Sequence, residues 1–353
     1  MKIQAGIIGA TGYMGGEVLR VLLTHPEVNV RWATSRKGSD IAMYHPNLYG
    51  CGIELIHPDN ITKVDVVFMA LPTAASIDMA TTLLDMGCKV IDLGAAFRLQ
   101  DQNEWQRVYL QKHANWHLSE NAVYGINELY LVKIKQASLI ANPGCFASAA
   151  ILAMAPLVEQ GLIDVEHVNI TGISGTAGVG AELSRAAHHP EIGNNLIAYN
   201  VVDHRHSYEM EQELSSLSRS GKVTVQFTPV YAPITRGILN VCHAIPIKEV
   251  SRELLLELYR SYYSDEPFIR IYDMPGSEGE SWQYRPYPWV SAVAGSNYCH
   301  IGLDIDTRRG RIVILSVLDS IGKGGAQVGI ENMNLMMGLK RTSGLLLAGR
   351  HPA

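Results

Sequence analysis

The sequence predicts a two-domain α/β protein, a doubly wound parallel sheet first and an α+β unit second. Three observations predict it. The chain opens on a strand, a glycine turn, a helix and a second strand; apolar strand-like runs then recur up to residue 145, with helical patterning between the first two; beyond residue 145 strand-like runs predominate. At 353 residues the chain exceeds one ordinary domain and suits two, each with its own core.

Residues 3–8 form a short apolar run that breaks into Gly9-Ala10-Thr11-Gly12-Tyr13-Met14-Gly15, and the helical spacing of Val18, Leu19, Val21, Leu22 and Leu23 follows. His25-Pro26 ends that helix, and residues 28–33 read as the second strand, which completes a βαβ unit and dictates parallel pairing. Further strands are expected at 64–70, 89–93 and 138–141, with a helix around 75–86. Asn142-Pro143-Gly144-Cys145 leads into a helix at 147–158, punctuated by Gly161. Strands at 167–173, 223–230, 238–246, 300–306 and 311–318 then dominate, with one helix at 251–263. The predicted domains are 1–145 and 146–324.

Composition narrows the function classes. With 47% hydrophobic and 18% charged residues the chain is neither disordered nor fibrous. A net charge of -5 leaves no basic surplus for a polyanion, so a small-molecule substrate is expected and nucleic acid is not. No apolar run reaches the roughly 18 residues of a membrane span, and the Met1-Lys2-Ile3-Gln4 start lacks a signal-peptide layout, which together predict a cytoplasmic protein. The five cysteines are odd in number, scattered, and without a C-x-x-C pair, so neither a disulfide framework nor a metal site is expected. Cys51, Cys88, Cys242 and Cys299 read as small buried hydrophobes.

Gly9, Gly12 and Gly15, with Thr11, Tyr13 and Met14 between them, place backbone N–H groups and a positive helix end where a pyrophosphate can sit. A bare glycine turn has the same spacing, but the βαβ setting favours a dinucleotide. The second strand runs into Thr34-Ser35-Arg36-Lys37 rather than the acid that takes a ribose 2′-hydroxyl, so NADP is expected, with Ser35 and Arg36 at its 2′-phosphate.

Cys145 stands at a turn into a helix, where unpaired amides and the macrodipole favour a thiolate. A thiolate mechanism needs an imidazole to take and return its proton, and Asp203-His204-Arg205-His206-Ser207-Tyr208-Glu209 is the richest candidate segment. His188-His189, in a polar loop ending at Pro190, reads as structural or substrate-adjacent.

These pieces together resemble the N-acetyl-γ-glutamyl-phosphate reductase family of arginine biosynthesis, a relative of aspartate-semialdehyde dehydrogenase. The resemblance rests on Gly9-Ala10-Thr11-Gly12-Tyr13, Ala96-Phe97-Arg98-Leu99, Val123-Tyr124-Gly125, Asn142-Pro143-Gly144-Cys145, His204-Arg205-His206, Thr235-Arg236-Gly237 and Asn332-Met333-Asn334, in that order. It implies a Rossmann-type first domain, a second domain for substrate and oligomerisation as a homodimer or homotetramer, and a C-terminal stretch of about 325–353 packing back on the first. It implies too that Cys145 forms a thioester that NADPH reduces to a semialdehyde, with His206 as acid-base, His204 as second candidate and Glu209 orienting. Arg98, Asn142 and Arg236 are then the expected substrate residues, and Lys323 is expected near cofactor or phosphate.

Departures cluster around the expected site. Where the family shows S-A-D-F-R, Y-G-L-P-E and H-R-H-T-P-E, this chain has Gly94-Ala95-Ala96-Phe97-Arg98, Tyr124-Gly125-Ile126-Asn127-Glu128 and His204-Arg205-His206-Ser207-Tyr208-Glu209. Ser174-Gly175-Thr176-Ala177-Gly178 replaces S-G-A-G-R, and Asp319-Ser320-Ile321-Gly322-Lys323 lacks a usual Asn. His45-Pro46-Asn47-Leu48, His188-His189-Pro190-Glu191 and Gly295-Ser296-Asn297-Tyr298 look somewhat like a sister branch that reduces an aminoadipyl or glutamyl phosphate attached to a small acidic carrier protein. A nucleotide-sensing protein without catalysis is the reading from another class.

Overall fold

The chain divides into two units, Met1–Pro143 with Gly325–Leu347, and Gly144–Gly324 with Ala348–Ala353. The computed structural model describes residues 2–273 and 287–352; Met1 and Ala353, at the ends of the expected domain ranges, lie outside them.

Unit 1 is built on eight strands: β1 (Ile3–Ile8), β2 (Val28–Thr34), β3 (Ser39–Asp40), β4 (Glu54–Ile56), β5 (Val66–Met69), β6 (Lys89–Asp92), β7 (Val123–Tyr124) and β8 (Leu139–Ala141). They lie in the order β3-β4-β2-β1-β5-β6-β8-β7, and every neighbouring pair is parallel except β3 with β4. All four residues of β5 are buried, the pattern of a parallel strand covered on both faces. Helices α1 (Tyr13–Leu22), α2 (Thr73–Asp85), α3 (Gln102–Tyr109), α4 (Trp116–Asn121) and α5 (Asn127–Gln136) connect them. The chain's last helix, Gln327–Met336, also belongs here and is buried along its whole length. Two of its asparagines are tied inside the unit: Asn332 Nδ2 donates to Gly125 O at 3.0 Å, and Asn334 Nδ2 to the carbonyls of Arg341 and Ser343.

Unit 2 starts with α6 (Cys145–Glu159), in which every residue from Phe146 to Val158 is buried. A helix apolar all round belongs inside a core. The unit's strands are β9 (Val168–Ser174), β10 (Ile197–Ala198), β11 (Val225–Tyr231), β12 (Ile238–Ala244), β13 (Ile269–Ile271), β14 (Cys299–Asp306) and β15 (Arg311–Leu318), ordered β10-β11-β9-β12-β15-β14-β13 in a mixed sheet, and α6 packs on its central strands β12 and β15. Side chains from that sheet hold α6 by its backbone: Asn240 Nδ2 donates to Phe146 O at 3.0 Å and Ser316 Oγ to Ala149 O at 2.7 Å. Pro156 has no N–H for the carbonyl of Leu152, and the Tyr263 hydroxyl donates to that oxygen at 2.6 Å instead. Helices α7 (His189–Ile192), α8 (Arg205–Leu217) and α9 (Arg252–Tyr262) complete the unit.

One cysteine expectation is corrected. Cys88, Cys242 and Cys299 are buried, but Cys51 is exposed, because Gly50 and Gly52 on either side turn the backbone at positive φ on the surface.

Candidate active site

Cys145 is the first residue of α6 and half-buried, with Gly144 as the helix cap. The Gly144 N–H donates to Glu209 Oε2 at 2.9 Å, and the other carboxylate oxygen of Glu209 lies 3.9 Å from His206 Nε2. Residue 144 must be glycine for this arrangement: a Cβ there would stand 2.6 Å from His206 Nε2 and 2.9 Å from Glu209 Oε1. Gly324 closes on the other side, where a Cβ would come within 2.8 Å of the Cys145 Cβ. The thiol, an imidazole and a fully buried carboxylate are therefore gathered by two close backbone approaches.

His204 and His206 share the first turn of α8 but are used differently. His204 is the helix cap, its Nδ1 accepting from the His206 N–H at 3.2 Å. Burial, with the Arg205 charge adding to it, pushes the His204 imidazole down to about 4. Around the pair lie Phe146, Phe227 and Tyr199, the last stacked on Tyr231 with ring centroids 4.1 Å apart. Burial raises the Tyr199 phenol well above its ordinary range, Tyr231 beside it adds to this, and negative charge on Cys145 acts in the same direction.

Arg236 is held by a carboxylate that sequence reasoning did not single out. Its Nε and Nη2 donate to Asp319 at 2.9–3.2 Å, and the fully buried Asp319 also accepts the N–H groups of Gly295, Ile321 and Gly322. The Gly175 backbone is pressed against this turn, since a Cβ there would meet Thr235 and Arg236 backbone atoms at 2.7–2.9 Å. The signal was present in the sequence as an Asp preceding an altered motif, but nothing in one sequence pairs residues 236 and 319. Lys323 is buried in unit 2 with its Nζ 5.6 Å from the Phe268 ring centre.

In unit 1 the glycine turn meets the steric demands of a dinucleotide cradle. Gly9 has φ +81° and a Cβ there would strike Ala70 O at 2.3 Å, while a Cβ on Gly15 would strike Gly9 O at the same distance. Gly12, the cap of α1, is different: an added Cβ would meet nothing closer than Gly9 O at 3.7 Å. Gly9 and Gly15 are thus fixed by the fold, and Gly12 leaves room for a phosphate to approach the backbone. Thr11, Tyr13 and Met14 complete the turn into α1; Ser35 Oγ, at the end of β2, accepts the Lys37 N–H at 3.2 Å, and Arg36 is exposed. Arg98 and Asn142 are buried; Arg98 Nε donates to Asn142 O at 2.8 Å, and Asn142 Nδ2 to Gly325 O at 3.0 Å.

Residues 4–137 match the family model described as semialdehyde dehydrogenase, NAD binding domain, and residues 145–320 match semialdehyde dehydrogenase, dimerisation domain. The N-acetyl-gamma-glutamyl-phosphate reductase of Methanopyrus kandleri is 44% identical over 99% of this chain and 100% of its own length. The chain belongs to the N-acetyl-γ-glutamyl-phosphate reductase family. Reductases of the same name from Desulforamulus reducens and Methanocaldococcus jannaschii are each 39% identical over 99% of the chain, and cover 100% and 99% of their own lengths. Among solved structures, aspartate semialdehyde dehydrogenase II of Vibrio cholerae superposes with TM-score 0.68 at 16% identity, covering 96% of this chain and 99% of that one, which shows a common fold. The chain is thus an oxidoreductase-family protein with a nicotinamide-dinucleotide domain. Among the described residues no helix is long and apolar enough to cross a membrane.

Two desolvated imidazoles contribute to the acid stability of this family member. His204 and His300 are each pushed by burial from 6.5 down to about 4, so both are neutral when folded and take up a proton on unfolding below pH 6.5. Their contribution is complete above that pH and drains as pH falls toward 4, by about 2 kcal/mol each at pH about 5. We expect the urea midpoint to fall between pH 7.5 and 5, and to fall less in the His204→Asn, His300→Asn double variant. Equal pH dependence in the two proteins would contradict this.

Proposed function

We propose that this chain is an NADP-dependent reductase of N-acetyl-γ-glutamyl phosphate that works through a thioester on Cys145. The observation that carries the reading is the cysteine at the head of α6, backed by Glu209 bonded to the Gly144 amide and by His206 against the same glycine. His206 takes the thiol proton, and the dipole of α6 stabilises the resulting anion. Sγ attacks the γ-acyl carbon; as the carbonyl reforms, the carbon–oxygen bond to phosphate breaks, phosphate leaves, and the acyl group remains as a thioester. Bound NADPH supplies the hydride that reduces this acyl group to the aldehyde level. His206 then gives up its proton as the carbon–sulfur bond breaks, which regenerates Cys145. Glu209 orients the imidazole. Arg236, fixed by Asp319, offers a guanidinium fork to the substrate carboxylate or phosphate, with Arg98 and Asn142 as the other residues proposed for the acyl phosphate.

The pyrophosphate of the coenzyme is assigned to the turn Gly9, Thr11, Gly12, Tyr13, Met14 and Gly15, the 2′-phosphate to Ser35 and Arg36, and Lys323 to a charge near cofactor or phosphate. The dimerisation-domain match supports a homodimer or homotetramer, and the biosynthetic relatives support a cytoplasmic enzyme.

The test runs the reaction backwards with purified protein, N-acetylglutamate semialdehyde, phosphate and NADP, reading NADPH absorbance. We expect turnover only with phosphate, faster with NADP than NAD, and a preference reduced about tenfold in Arg36→Ala, the loss of one charge-assisted contact. Equal use of both coenzymes by the wild type removes the 2′-phosphate assignment. In the forward direction, activity confined to a carrier-linked acyl phosphate would transfer the protein to the sister branch. Nucleotide binding with no turnover on either substrate would make it a sensor.

A further inference from the structure

His45, which the proposed chemistry leaves unused, lies against the dinucleotide turn. Its Nε2 is 2.9 Å from Ala10 O. A carbonyl can only accept, so Nε2 carries the proton and donates. The ring also fills the place of a missing side chain: a Cβ on Gly16, in the first turn of α1, would stand 2.3 Å from His45 Cε1, 2.4 Å from Nε2 and 2.8 Å from Nδ1. Glycine inside a helix is less favourable than alanine, so Gly16 is a locally unfavourable choice that admits the imidazole. His45 reaches the turn from the loop between β3 and β4, where the Ile41 carbonyl accepts its backbone N–H at 2.9 Å and Leu48 N–H donates to His45 O at 2.9 Å.

The contact orients a particular peptide. In a trans peptide the carbonyl and the following N–H point in opposite directions. The bond between Ala10 and Thr11 is trans, because the one cis bond among the described residues is His351-Pro352. Holding the Ala10 oxygen toward His45 therefore holds the Thr11 N–H away from it. Thr11 stands in the turn between Gly9, which the fold fixes, and Gly12, which leaves open space.

We propose that His45 is a positioning residue of the coenzyme site: it clamps the Ala10–Thr11 peptide so that the Thr11 N–H is preset to bind the coenzyme's pyrophosphate. The inference rests on the nicotinamide-dinucleotide reading of unit 1 and adds the residue that presets its cradle. Because both coenzymes carry a pyrophosphate, the clamp acts equally on NADPH and NADH, whereas Arg36 acts on the 2′-phosphate alone.

The experiment is a fluorescence titration of the purified protein with NADPH and with NADH, free of substrate, alongside a thermal melt of each variant. His45→Ala weakens both coenzymes by about the same factor, near tenfold, which corresponds to about 1.4 kcal/mol. His45→Gln, whose amide N–H reaches toward the same carbonyl, recovers most of that affinity. Gly16→Ala, which expels the ring although alanine favours the helix, reproduces the loss. Melting temperatures within about 1 °C of wild type exclude a general folding defect. Unchanged affinity in His45→Ala, or a loss confined to NADPH, or no recovery in His45→Gln, overturns the proposal. If the wild type binds neither coenzyme, the dinucleotide reading itself fails, a result distinct from the first three.

Discussion

Cys145→Ser should bind NADP as the wild type does and lose phosphate-dependent reduction of NADP by about 10⁴-fold or more, the scale on which removing a covalent nucleophile acts. Serine is close in size, fits the first position of α6 and leaves the Gly144–Glu209 hydrogen bond in place, so the loss reports on the sulfur rather than on packing. A hydroxyl in the same field does not ionise near neutral pH, so the acyl stage is blocked before phosphate can leave. Single-turnover measurements of phosphate release from the acyl phosphate read that stage directly. Turnover within tenfold of wild type would end the thioester scheme. A supporting measurement is alkylation: Cys145 reacts faster than a free peptide thiol, and substrate slows it. The exposed Cys51 also reacts, so the labelling must be done in a Cys51→Ser background.

The ease with which the fold is legible varies with how each segment buries itself. Strand β5 is a continuous apolar run because the parallel sheet covers both its faces, and the limits of β1, β5 and β6 fall close to the expected ones. Strand β15 matches residue for residue. Helix α8 escaped notice because the face it buries carries His206, Glu209 and Glu213 beside Met210 and Leu214, which erases the apolar stripe that periodicity depends on. Strands β3 and β7, two residues each, are too short to show any period, and α3 buries a single residue, Trp105.

At the site, residue chemistry was legible and pairing was not. A cysteine between Asn-Pro-Gly and a helix, and two histidines two residues apart, stand out by type and local position. Asp319 does not, since its meaning lies in a partner 83 residues away and in three backbone amides that only the folded turn brings to it. Gly144 and Gly324 are likewise ordinary glycines until the structure shows what a side chain there would hit. The same holds for Gly16, whose purpose is visible only with His45 against it.

The choice between the two histidines, open in the sequence, becomes a prediction once their contacts are known. His204 spends its Nδ1 lone pair on the cap of α8 and is pushed down to about 4, so at neutral pH its affinity for the thiol proton is poor. His206 is the ring that meets Gly144 and faces the Glu209 carboxylate, whose negative charge favours the protonated imidazole. His206→Asn should therefore lower kcat/KM by about 10²–10⁴, the range for removing a general acid-base. His204→Asn should lower it by less than about tenfold, because asparagine is itself a good helix cap and keeps an acceptor for the His206 N–H. Glu209→Gln should fall between them: its amide oxygen still accepts from Gly144, but the charge that steadies the imidazolium is gone. The kinetics of the three variants at saturating coenzyme decide the matter, with melting temperatures as the control for folding. If His204→Asn proves the more damaging at unchanged stability, the acid-base role passes to the capping histidine, and the Glu209 contact is left to support the turn before Cys145 alone.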